Sequence, residues 1–289
     1  MANLKEIRNR IASVSSTMQI TSAMKMVSAA KLKKAQDAIT AMRPYANKLT
    51  ELLQNLSGTL EGDSGSVFAN QREVNKVLLV AISSNRGLAG AFNSNIVKTV
   101  NTLIAETYTD KQVDLVTLGK KGDDILSKSN SIVFNDNEIF DDLTFENNAE
   151  IAQKLMNLYA EGTYDKIVLI YNNFKNAATQ ILMTEQFLPI LPVETSEDAS
   201  NVLIDYIFEP SKTEIVEELI PKSLKTQLFK ALRDSSASEH GARMTAMHKA
   251  TDNATELRDS LKLQYNKARQ ASITNEILEI VGGAEALAG

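Results

Sequence analysis

The stretch that comes nearest to a recognised chemical site is SSNRGLAGAFN, residues 83–93. It follows an apolar run of strand length and carries Gly87 and Gly90 where a strand would turn into a helix. Phosphate loops sit at such turns, because glycine lets backbone N–H groups approach an anion and a helix N-terminus favours negative charge. The spacing fails both phosphate-binding patterns. A dinucleotide loop needs G-x-G-x-x-G with a carboxylate about 20 residues on, and the first glycine is missing. A Walker loop ends in Gly-Lys-Ser/Thr, and no such pair follows. The two glycines are read instead as serving a tight strand-to-helix turn.

Other chemistry-bearing residues are sparse. LGKKGDDIL (118–126) offers two lysines and a glycine after a strand, a weak anion-binding pattern. The acidic pairs Asp123–Asp124 and Asp141–Asp142 are adjacent in sequence, so on a helix they point apart and share no site. The two histidines, His240 and His248, are eight residues apart, whereas a helical metal pair sits at i, i+4. Both are read as surface residues of one helix, and neither fits a Ser/His/Asp arrangement. There is no cysteine, which removes disulfides, thiol catalysis and cysteine metal sites. AAKLKKAQ (29–36) is basic, but the first forty residues hold no aromatic side chain, so nucleic-acid binding is disfavoured. A solvated face or a contact with acidic protein loops is the better reading.

YNKARQASITNEI (265–277) differs from these. Arg269, Gln270, Thr274 and Glu276 lie close together and are followed by Ile277, Leu278, Ile280 and Val281. A free helix end in water should not be this apolar. Two explanations stay open from the residues alone, a sleeve around the tip or packing against the other terminal segment.

The elements that must position these residues are unusual. Leu4, Ile7, Ile11, Val14 and Met18 recur at alternating steps of three and four, the signature of a coiled-coil seam. Residues 1–43 hold no Gly or Pro, and the apolar pattern resumes after Pro44, which predicts a helix of about 55 residues (roughly 80 Å) bent near the proline. SGTLEGDSGS (57–66) reads as a loop. Residues 222–281 predict a second helix of about 60 residues, with a stripe through Leu224, Leu228, Ala231, Ala246, Ala250, Ala254, Leu257, Leu261, Tyr265 and Ala268. Both far exceed the average globular helix of about 11–12 residues, and pairing with each other is the simplest way to bury their stripes. Between them, apolar strands at 75–83, 113–119 and 166–171 alternate with helices at 87–107 and 146–161, a parallel Rossmann-like pattern. Residues 180–191 and 202–210 are strand-like and read as antiparallel or edge additions. The fold class is thus α/β: a long antiparallel coiled coil of N- and C-terminal helices plus a Rossmann-like α/β domain. The domain boundaries are 1–57, 58–210 and 211–289.

Net charge is −5. Residues 1–50 carry nine Lys/Arg against two Asp/Glu, residues 51–221 twelve against twenty-six, and residues 222–289 ten against eight. The ends are basic relative to the middle, which suits two solvated helices or an acidic partner facing both ends. No window approaches the roughly 20 apolar residues needed to cross a bilayer.

LKEIRNRIASV, ITSAMKMVSAAKLKKAQ, RPYA, RGLAGAFN, SEHGARMTAMHKATDNA and YNKARQASITNEILEIVGGA occur in this order along the chain. As a set they resemble the gamma-subunit family of F-type ATP synthases over essentially the whole length. The resemblance implies a rotary shaft: an antiparallel coiled coil inside a hexamer of alternating alpha and beta subunits, with the globular domain against epsilon and the membrane c-ring. It implies no catalytic residue, cofactor, metal, nucleic-acid partner or small-molecule substrate. Carried over by motif, it places Met24, Lys25 and Arg243 opposite the hexamer and gives Arg269, Gln270, Thr274 and Glu276 a hydrogen-bonded catch on a beta subunit. Many relatives read Asp-Arg-Gly-Leu-Cys-Gly where this chain has Asn85 to Gly90, and the cysteine-bearing insert of chloroplast members is not present. A peripheral location on the cytoplasmic face of the cell (inner) membrane is the resulting expectation.

Overall fold

The computed structural model describes residues 4–57, 67–68, 71–190 and 212–288. Its helices are α1 (Leu4–Ser57), α2 (Phe92–Thr102), α3 (Lys120–Leu126), α4 (Phe145–Ala160) and α5 (Lys212–Ala288). Its strands are β1 (Lys76–Ile82), β2 (Gln112–Leu118), β3 (Ile132–Asp136), β4 (Lys166–Phe174) and β5 (Gln180–Leu188). The chain divides into two compact units: Met1–Ser28 with Met244–Gly289, and Ala29–Arg243.

In the larger unit the sheet order is β3-β2-β1-β4-β5, parallel except for β5, which runs antiparallel to β4. The central strands are apolar along their whole length because both faces are covered. From β1, Leu78, Val80 and Ile82 join a layer with Ile151, Leu155 and Tyr159 of α4 and Leu224 and Leu228 of α5. Val77, Leu79 and Ala81 alternate to the other face and pack with Ile96 and Val100 of α2 and Leu126 of α3. Each such Val, Leu or Ile taken fully out of water contributes about 1.5–3 kcal/mol. The return to β5 is a tight turn in which Asn176 Oδ1 accepts hydrogen bonds from the amides of Ala178 (3.0 Å) and Thr179 (2.7 Å).

In the smaller unit α1 and α5 run antiparallel, as successive contacts show: Arg8 with Tyr265, Met18 with Thr255 and Arg258, Thr21 with Thr251, and Lys25 with His248. On α5, Met247, Thr251, Ala254, Arg258, Leu261, Tyr265, Ala268 and Ser272 are buried or half-buried at alternating steps of four and three, and Ala250 and Thr255 flank them half-buried. The seam on α1 recurs in the same heptads, and positions 4, 7, 11, 14, 18, 21, 25 and 28 are all buried or half-buried. Small groups such as Thr21 and Ala254 sit in this seam and let the axes approach closely.

Four expectations change. α1 runs through Pro44 as one helix of the expected length, whereas α5 contains Pro221 in its interior rather than beginning after it. Each proline removes one ladder bond at a cost of about 3 kcal/mol or more, and burial on both sides (Ile39 and Leu49; Ile220 and Leu224) holds the helix together. The helix expected at 87–107 starts at Phe92 and ends in a π-wound turn, Leu103–Thr107. β3 and α3 were not anticipated; β3 alternates half-buried with exposed residues as an edge strand does, and α3 has only seven residues. His240, read as a surface residue, is half-buried instead, and its buried Nδ1 has no hydrogen-bond partner. The loop at 57–66 and the strand at 202–210 fall, apart from Ser57, outside the described residues.

Candidate functional site

The seam of the smaller unit stops at Ser272. From Ile273 to Glu285 every residue of α5 is exposed, including Ile277 at 54%, Leu278 at 62% and Ile280 at 71%. Packing against α1 is therefore not what covers this apolar tip among the described residues. Arg269, Gln270, Thr274 and Glu276 are exposed at its base. Thr274 donates its hydroxyl to Gln270 O (2.9 Å) within the helix, which leaves the other three side chains available to an outside partner. Exposed Ile20, Met26 and Val27 on α1, with Leu257 and Leu263 on α5, continue the apolar outer surface along the paired stretch. Met24 is half-buried, and Lys25 lies in the seam with Nζ 3.4 Å from His248 Nδ1. Asp252 is the same distance from that nitrogen.

Arg243 sits differently. It is only 7% exposed, and all three guanidinium nitrogens are used within the chain. Nη1 pairs with Glu239 Oε1 (2.7 Å), Nη2 donates to Arg86 O (2.8 Å) and Nε donates to Gly87 O (3.3 Å). Burial raises the Glu239 carboxyl above its usual range, and the Arg243 charge works against that rise. This inward use was not legible beforehand, because a motif match carries no orientation.

The turn at 83–93 lies at the C-terminal end of β1, beside the point where strand order reverses between β1 and β4. Open α/β sheets bind ligands there. Here the turn's polar groups are engaged by the chain itself. Ser84 N and Oγ both donate to Asn93 Oδ1 at 3.0 Å, Asn85 Nδ2 donates to Asn137 O (2.6 Å), and Asn85 Oδ1 accepts from Lys120 N (3.0 Å). The glycines of LGKKGDD serve packing. A Cβ on Gly119, which has φ +106°, would fall 2.4 Å from Ser83 O, and one on Gly122 would fall 2.7 Å from Ser83 Oγ. α5 also closes over this end: a Cβ on Gly241 would stand 3.1 Å from Ala177 O. The result is a helix locked onto a sheet end, with the nucleotide position of this fold class built over.

One unit is an antiparallel helix pair with apolar residues on its outer surface, and the other is a doubly wound domain whose sheet end is occupied by its own side chains; together they define a stalk-type, non-catalytic class of protein. The family described as ATP synthase matches residues 3–287. The ATP synthase gamma chain of Flavobacterium psychrophilum is 71% identical over the full length of both chains. That of Chloroherpeton thalassium is 47% identical over 99% of each. Among solved structures, the central stalk and c-ring assembly of Tetrahymena thermophila mitochondrial ATP synthase contains a similar chain, 26% identical, with TM-score 0.60, over 80% of this chain and 99% of that one. A Euglena gracilis mitochondrial ATP synthase chain shares the fold at TM-score 0.70 and 21% identity, over 98% of this chain and 94% of that one. The chain belongs to the ATP synthase gamma chain family.

Proposed function

We propose that this chain is the central rotor shaft of an F-type ATP synthase. It couples proton flow through the membrane ring to ATP synthesis or hydrolysis at the beta subunits, and has no active site of its own. The observation that carries this reading is the exposed apolar surface of α5 beyond Ser272, which requires a surrounding sleeve. A ring of alpha and beta subunits supplies such a sleeve. An apolar bearing without fixed ion pairs can turn inside it, because no position is held by a directional bond. The functional division is 1–57 and 211–289 for the shaft and 58–210 for the domain that meets epsilon and the c-ring.

Met24, Lys25, Arg269, Gln270, Thr274 and Glu276 face the hexamer in this reading, and Arg243 contributes through the loop it holds. No helix among the described residues is long and apolar enough to cross a membrane. In this reading attachment is peripheral, through the partners, on the cytoplasmic face of the cell membrane. One elementary charge crossing 100 mV supplies roughly 2.3 kcal/mol, so several crossings must be summed for each ATP, and the shaft must not melt while it carries them.

The chain has no native cysteine, so Met26→Cys, at a position 65% exposed, gives a single thiol. A disulfide from it to a cysteine on a beta subunit should stop ATP turnover of the assembled complex, and reduction should restore it. Turnover that continues at full cross-linking would reject the rotor.

A further inference from the structure

We propose that Arg243 is a positioning residue that clamps the C-terminal helix to the α/β domain, and that this clamp bears torque during coupling. The inference rests on the rotor reading and adds a residue to it.

Within the larger unit α5 is held differently along its length. From Ile220 to Leu232 its buried face is apolar and interlocks with the α4 side of the sheet through Leu224, Leu228 and Leu232. Beyond Leu232 the buried face changes character, to Asp234, Ser235, Ala237, Ser238, Glu239 and Gly241. Ser235 Oγ and Ser238 Oγ are buried without hydrogen-bond partners. Small side chains interdigitate little, so this stretch resists rolling and sliding of the helix weakly. Directional bonds must do what packing does not.

Two are at hand. Asn173 Nδ2 donates to Asp234 Oδ2 (3.1 Å) at the start of the stretch, and the guanidinium fork of Arg243 closes its end on two successive carbonyls, with Glu239 balancing its charge. The loop it grips is itself anchored. Asn85, next to Arg86, bonds Asn137 O after β3 and Lys120 N at the start of α3. Torsion in α5 thus passes through Arg243 into the 85–87 loop and from there into the connections that follow β2 and β3. A planar fork suits this task; an ammonium is a point charge that cannot hold two carbonyls and a carboxylate in one geometry.

The test uses the membrane-bound complex and reads protons pumped per ATP hydrolysed. Arg243→Ala should lower that ratio severalfold, and Arg243→Lys should fail to rescue it. A Lys variant that pumps normally would reduce the role to charge and overturn the clamp. Because removing Arg243 leaves a buried carboxylate, the pair Glu239→Gln with Arg243→Met keeps the volume without the charges. It should assemble and still pump poorly, and normal pumping by it would overturn the proposal. The decisive arm is covalent. Gly87→Cys has open space for its side chain, and Gly87→Cys with Arg243→Cys, joined by a short bis-maleimide, should regain the ratio lost before joining. Failure to regain it would overturn the clamp. The Met26→Cys cross-link in the same membranes reports separately whether the chain is a rotor at all.

Discussion

α5 holds two apolar stretches of opposite fate. Between Met247 and Ser272 the inward positions recur at steps of four and three, and they are buried or half-buried against α1. Between Ile273 and Val281 the apolar residues are Ile273, Ile277, Leu278, Ile280 and Val281, and all are exposed. At about 100° per residue these five span an arc of roughly 160° around the helix. A single partner helix covers a narrow a/d stripe, while a wider face needs a broader surface. The contrast teaches that period, more than hydrophobicity, separates a helix made for one partner helix from one made for an enclosure.

Substituting matched residues on the two sides should break that comparison most visibly. Leu261 lies in the seam at 4% exposure. Leu261→Ala should destabilise the purified chain by about 2–5 kcal/mol, the range for buried leucine truncations. Ile277→Ala should move the same urea midpoint by no more than about 0.5 kcal/mol, because its side chain is already in water. Equal shifts in the two variants would mean that the tip is covered within the chain and that no sleeve is required.

The next largest effect belongs to the polar base of the tip. Arg269→Ala and Gln270→Ala should each leave the unfolding midpoint within about 0.5 kcal/mol of the parent and yet lower ATP synthesis by the assembled complex. Normal synthesis rates in both would remove the catch from this position. Deleting the residues after Val281 should cost less synthesis than either substitution, since a bearing loses only part of its area while the catch loses its bond.

Much of this was legible in the residues, and the failures have physical causes. The heptad spacing of Leu4 to Met18 identified the seam, because a coiled coil is a repeating local pattern. The run at 75–83 identified a strand covered on both faces. β3 was missed because an edge strand needs only alternate apolar residues, and IVFND is too short for that to stand out. Pro221 was misjudged because local propensity was weighed without the burial that overrides it. Outward positions such as Ile277 could be read from composition. The inward turn of Arg243 could not, because it depends on Arg86 and Gly87, more than 150 residues away.

The two histidines, both read as surface residues of one helix, offer the finest contrast. His248 is exposed on the paired stretch and lies 3.4 Å from Asp252. His240 is held beside the clamp, where burial first, and then the charges of Arg243 and Lys31, push its pKa down to about 4. The unfolded chain protonates a histidine near pH 6.5, while native His240 stays neutral until about pH 4. Between these values the unfolded state binds more protons, so this contribution is complete above pH 6.5 and fades as pH falls toward 4. Glu239, whose carboxyl is raised, runs the other way, its contribution fading as pH rises through its range. The informative quantity is therefore the difference between the parent and His240→Gln. Urea midpoints measured from pH 7 to pH 4 should fall less steeply in the variant, by on the order of 1 kcal/mol across the window once partial solvent access is discounted. Identical slopes would place the imidazole in water and return His240 to the surface.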